Sequence, residues 1–120
     1  MEQNKGVQIT SESDATVVAF KSATISDVSE IEGASAEIRG FIEKHSPRKI
    51  VFDFGGVKFF SSQVLGLLLD IRKKMEPYAG EIVISSIDPQ LHRIFKITCL
   101  DRIFRFFPDK NSAVKELGRE

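Results

Sequence analysis

Residues 49–54, KIVFDF, constrain the fold more than any other stretch of the chain. They are β-branched and aromatic, and apolar at nearly every position. A strand of that make-up lacks the alternation of a half-solvated sheet, so other elements must cover at least one of its faces. Gly55-Gly56 breaks it, and Val57 to Phe60 read as a weak continuation. Residues 62–76 then take a helical period, with Val64, Leu68, Ile71 and Met75 on one stripe and Leu65 and Leu69 on a second beside it. Pro77 and Gly80 stop this helix.

The same alternation of strand and helix runs through the rest of the chain. Residues 7–10 (VQIT) and 15–20 (ATVVAF) read as strands, and the SESD between them as the turn of a β-hairpin. Over residues 25–45, Val28, Ile31, Ala34 or Ser35, Ile38, Phe41 and Ile42 recur at helical spacing among charged residues. This predicts an amphipathic helix capped by Ser26 or Thr24, with Pro47 just beyond its end. Residues 81–86 (EIVISS) form another strand. Asp88-Pro89 opens a helix through Leu91, Ile94, Phe95 and Thr98. Residues 102–107 (RIFRFF) are the last strand, and Asp109 to Leu117 the last helix. The order β-β-α-β-α-β-α-β-α predicts an α/β fold: a mixed, mostly parallel sheet with an antiparallel N-terminal edge, packed by about four helices. With neither repeat nor linker, residues 1–120 read as one domain with its core over about 7–117.

Charge and cysteine content exclude several classes of function. Lys+Arg and Asp+Glu both total 17, a formal net charge of zero, which argues against nucleic acid or an anionic membrane as the main partner. The single Cys forms no intramolecular disulfide and fits a reducing compartment. The N-terminus lacks the apolar stretch of a signal peptide, and no apolar run reaches the roughly 20 residues of a membrane span. A cytoplasmic chain is expected. Cys99 has no Cys or His at metal-ligand spacing, and no G-x-x-x-x-G-K-S/T is present, so neither metal nor cofactor is expected.

Ser61 and Ser62 fall in the turn after the apolar strand, at the start of the following helix. In an open α/β sheet the C-terminal ends of strands are where function gathers. A serine there can cap the helix. It can be a nucleophile, but the nucleophile elbow needs G-x-S-x-G, and F-F-S-S-Q-V has glycine at neither place. The histidines, His45 and His92, start or end other helices, and no catalytic residue is assigned. It can also be phosphorylated, because a helix N-terminus tolerates added negative charge. Asp53, a lone carboxylate in the apolar strand, either faces solvent or reaches the turn to hold its backbone or meet a partner. Gly66 serves either close packing on the sheet or close approach of a partner. Leu69 is expected to be buried, and Leu65 is left open.

At these residues the chain resembles the STAS domain family, and specifically the bacterial anti-sigma factor antagonists. The resemblance runs from about residue 7 to residue 117. It is strongest in VFDFGGVKFFSSQVLGLLL, similar to the family's hydrophobic strand followed by D-S-S-G-L-G and a leucine-rich helix. A second match is IDPQLHRIFKITCLDRIF. Aligned without gaps, Ser61 stands at the family's Asp, Ser62 at its phosphorylated serine, Val64 at a glycine, and Leu65-Gly66 at the L-G pair. The family's G-x-L-D after the second strand is replaced by FKSATI at residues 20–25.

The resemblance implies a switch that is not an enzyme. The unmodified domain binds an anti-sigma factor that is also a serine kinase, which frees a sigma factor for transcription. Phosphorylation at Ser62, with Ser61 as the alternate, breaks that complex, and a phosphatase resets it. Asp53, Ser61, Ser62, Gln63, Leu65 and Gly66 are the expected partner-binding residues, and the chain is expected to be a monomer or weak dimer. The alternative is a STAS interaction module of a sensory or lipid-transport complex, without phosphorylation control.

Overall fold

The computed structural model describes residues 6–12 and 14–118. Val7–Glu12 (β1) and Ala15–Phe20 (β2) pair antiparallel, with Glu12 opposite Ala15. Residues 11 and 12 are therefore strand rather than turn, and Ser13 of the expected SESD turn lies outside the described residues. Lys49–Asp53 (β4) runs parallel to β2. Glu81–Ser85 (β6) and Arg105–Phe107 (β7) follow in parallel, and the sheet order is β1-β2-β4-β6-β7. The helices are α1 (Val28–His45), α2 (Ser62–Met75), α3 (Pro89–Ile97) and α4 (Lys110–Gly118).

Both faces of β4 are covered, one more than its apolar run required. Ile50 and Phe52 belong to the large core beneath α1, α2 and α3, with Ile31, Ile38, Val64, Leu68, Ile71 and Phe95. Val51 faces the other way, into a smaller cluster with Val17, Val83 and the Ala113 and Leu117 of α4. The large core ends in a line of phenylalanine rings. Phe20 to Phe54 is 5.0 Å between centroids, Phe54 to Phe60 5.7 Å, and Phe60 to Phe95 6.0 Å. These rings, with edge-on contacts at Phe54–Phe60 and Phe60–Phe95, form a floor beneath the loop that joins β4 to α2.

Several boundaries differ from the sequence expectation, each for a physical reason. Thr24–Ile25 (β3) is a short strand paired in parallel with Phe59–Phe60 (β5). Residues 59–60 therefore do not continue β4, and α1 starts only at Val28. Its N-cap is Asp27, not Ser26 or Thr24: an Asp27 carboxylate oxygen accepts from the Glu30 amide at 3.0 Å and the Ser29 hydroxyl at 2.8 Å. The Ser29 bond first, and the Glu30 amide next, hold the Asp27 carboxyl below its ordinary value. Val28 is exposed. Residues 100–102 form a turn of 3₁₀ helix, so the last strand begins at Arg105 rather than at 102. On α2, Leu69 is exposed and Leu67 is buried, the reverse of the expected stripe. At about 100° per residue, Leu67 lies roughly 60° from Val64 and 40° from Ile71, on the buried side, whereas Leu69 lies roughly 140° from Val64. Leu65 is buried.

Candidate functional site

The loop from Phe54 to Phe60 is held from three sides. The Phe54 amide donates to the Ser85 carbonyl at 2.9 Å, which carries the chain past the end of the sheet. The Lys58 and Phe59 amides both donate to the Ala23 carbonyl, and the Ser61 amide to that of Ile25 at 2.9 Å. Gly56 sits at φ +88, in the left-handed region that side chains disfavour. Asp53 closes the inner side. One of its carboxylate oxygens accepts from the Gly55 amide at 3.0 Å and from the Ser85 hydroxyl at 3.4 Å. Of the two expectations for Asp53, the structure thus gives the one in which it holds the turn.

The two serines have different surroundings. Ser61 is the N-cap residue of α2 by backbone geometry, with φ −83 and ψ 164, and its carbonyl accepts from the Val64 amide at 3.0 Å. Its hydroxyl makes no capping bond. That oxygen is buried and has no hydrogen-bond partner among the described residues. Ser62, the first residue of α2, is exposed, as is Gln63. Of the first-turn amides Val64 is paired, to the Ser61 carbonyl, whereas those of Ser62 and Gln63 precede the helix's own bonding pattern, and α2 has no acidic residue in that turn to balance its positive end.

Gly66 lies one turn further along the same side, exposed, and a Cβ built on it would meet nothing within 4 Å. Close packing on the sheet, one of the two expectations for this glycine, is therefore not its role. Leu65 is buried at 8% exposure and belongs to the core. An open groove runs beside Gly66, between α1 and α2. Its presence was not legible in the sequence, since it depends on the spacing of two helices. Neither histidine serves the serines. His45 stacks on Phe41 at the end of α1, and His92, half-buried, stacks on Phe106 at 4.1 Å. Among the described residues no group of His, Cys, Asp and Glu is placed to hold a metal ion, and no helix is long and apolar enough to cross a membrane.

The architecture and the chain have relatives. A Bordetella bronchiseptica protein, BtrV, whose assigned name is that of a proposed anti-sigma factor antagonist, is 27% identical over 82 residues, 68% of this chain and 70% of its own. An anti-sigma-factor antagonist (STAS) domain protein from Planctomyces limnophilus superposes with a TM-score of 0.83 at 23% identity, covering 92% of this chain and 96% of that one. The anti-sigma factor antagonist SpoIIAA in its unphosphorylated form superposes with a TM-score of 0.81 at 19% identity, over 92% of this chain and 95% of that one. The STAS domain model matches residues 5–113, nearly the whole layered fold and the serine turn with it, and the chain belongs to the STAS domain family.

Proposed function

We propose that this STAS domain is an anti-sigma factor antagonist, a protein-binding switch set by phosphorylation of Ser62. The observation that carries the reading is the exposed Ser62 side chain on the first turn of α2, free of hydrogen bonds among the described residues, beside a neighbour whose hydroxyl is closed off. A transferase reaches the first and not the second, which favours Ser62 over Ser61. In the transfer, the Ser62 oxygen bonds to the terminal phosphorus of ATP, ADP leaves, and the seryl proton passes to a base of the kinase. The chain is the substrate and supplies no catalytic group.

The product adds a charge of about −1.5 to −2. It sits where unpaired amides and the helix dipole favour an anion, so the domain keeps its fold. A kinase surface fitted to a neutral hydroxyl does not accommodate it, and the complex with the anti-sigma factor breaks. A phosphatase restores binding. The likeness to SpoIIAA supports the reading, since that antagonist exists in both phosphorylated and unphosphorylated forms.

The test is incubation with ATP and the cognate kinase, followed by mass mapping. One phosphate at Ser62 is expected, absent in Ser62→Ala, and Ser62→Asp is expected to bind the kinase more weakly. Full phosphorylation of Ser62→Ala would show the wrong residue had been assigned. A partner retained from native lysate regardless of phosphatase treatment would replace the switch by a constitutive interaction module.

A further inference from the structure

The groove between α1 and α2 has a volume of about 280 Å³ and a divided chemistry. Its apolar part is Ile31 of α1 and Leu67 of α2, both rooted in the core at 6% and 4% exposure. Its charged part is Glu32 on one helix and Asp70 on the other, both exposed. Neither carboxylate makes an ion pair or hydrogen bond among the described residues. No lysine or arginine lines the groove. Two neighbouring cations of α2 are engaged elsewhere and the third makes no ion pair to Asp70: Lys74 pairs with Glu43 at 3.0 Å, Arg72 approaches Glu76 at 3.5 Å, and Lys73 is exposed one turn beyond Asp70.

Gly66 also lines the groove. Glycine inside a helix costs about 1 kcal/mol against alanine, and here nothing within the fold would touch the missing Cβ. Gly40 of α1 is as unfilled and lies outside the groove, so the glycine alone decides nothing. What decides is its conjunction with an apolar floor and two free carboxylates on facing helices.

We infer that this groove docks an arginine side chain carried on a segment of a protein partner. The methylene stem of arginine covers Ile31 and Leu67, the flat guanidinium passes over Gly66, and its donors reach the carboxylates of Glu32 and Asp70. An apolar stem ending in a delocalised cation is the chemistry this lining complements. Gln63 borders the groove and Ser62 does not, so the contact is an anchor next to the proposed modification site rather than part of it.

The experiment is an amide-resolved NMR titration of the full chain with the peptide acetyl-Leu-Arg-Leu-amide. The control is the same peptide with citrulline, which keeps the shape of arginine and removes its charge. Saturable shifts are expected at Glu32, Gln63, Gly66 and Asp70. Binding should weaken by about fivefold or more with citrulline and in the double variant Glu32→Gln/Asp70→Asn, whose spectrum elsewhere should stay that of the parent. Absent shifts at these residues, equal response to citrulline, or undiminished binding by the double variant would overturn the inference. So would sedimentation showing a homodimer closed over the groove, which would make the occupant a second copy of the chain. The titration uses neither ATP nor kinase, so its failure leaves phosphorylation of Ser62 untouched, and failure of phosphorylation leaves the groove untouched.

Discussion

Replacing Gly66 by alanine should make the protein more stable, by an amount that can be worked out. The residue lies in the second turn of α2, is exposed, and its added methyl group would meet nothing within 4 Å. No packing is gained and no clash incurred, so the change reduces to helix propensity, about 1 kcal/mol in favour of alanine. A chain of 120 residues unfolds with an entropy near 250 cal/mol/K, at about 2.1 cal/mol/K per residue. The melting temperature should therefore rise by roughly 4 °C in a calorimetric or circular dichroism scan. Two other glycines serve as opposite controls. Alanine at Gly56 must adopt φ +88, and alanine at Gly80 would place its Cβ 2.9 Å from the Met75 Cβ, so both substitutions should lower the melting temperature. A Gly66→Ala protein that melts at or below the parent would refute the reasoning, because it would mean that some atom of the fold needs the space.

Ser61→Ala should leave stability unchanged or raise it by up to about 1 kcal/mol in urea denaturation, although Ser61 is an N-cap residue, because its hydroxyl is buried without a partner and caps nothing; a loss of ~1 kcal/mol would show that the hydroxyl is bonded after all. Asp53→Ala should cost about 1–2 kcal/mol by freeing the Gly55 amide and the Ser85 hydroxyl, and Asp53→Asn should recover most of it, which hydrogen exchange at Gly55 would also report. Hydrogen bonds hold the folded-state pKa of Asp27 below the ordinary 3.8, so its contribution is complete above that value and is lost as pH falls below it; Asp27→Asn should flatten the acid limb of a urea-midpoint profile, and parallel profiles for the two proteins would contradict this. Ser62→Asp should melt no lower than the parent, since it adds the acidic residue that the first turn of α2 lacks, worth about 0.3–1 kcal/mol there; a drop of several degrees would mean that charge at this position disrupts the fold.

The layered architecture was legible because its signals are local. KIVFDF announces a strand covered on at least one face and EIVISS another strand, Asp88-Pro89 fixes the start of α3, and the Val64-Leu68-Ile71-Met75 stripe orients α2. The β3–β5 pairing was not legible, since two residues have no period and their partners lie 35 positions apart in the chain, Thr24 with Phe59. That pairing also displaced the start of α1. The cap itself did leave a signal: Asp27 is followed three residues later by Glu30, the spacing of an N-terminal capping pair. At the site, the serine turn and its neighbours were readable from order and composition. The difference between Ser61 and Ser62 was not, because it depends on which of two adjacent hydroxyls the folded chain buries.

The arrangement of the turn bears on how a modification there could be read at all. Had the exposed serine also been the capping group, a phosphate would have removed a cap and loosened α2, and the signal could have travelled through the helix as a loss of order. Here the cap position belongs to Ser61, the loop backbone is fastened by Ala23, Ile25 and Asp53, and none of these bonds uses the Ser62 side chain. Changing Ser62 therefore leaves every tether of the turn in place. With the fold unaltered on either side of the event, the difference between the two states is confined to charge and bulk at one surface point. Under the proposed switch only a molecule seated on that surface can register the event, so the output predicted for it is a change of partner rather than a change of shape.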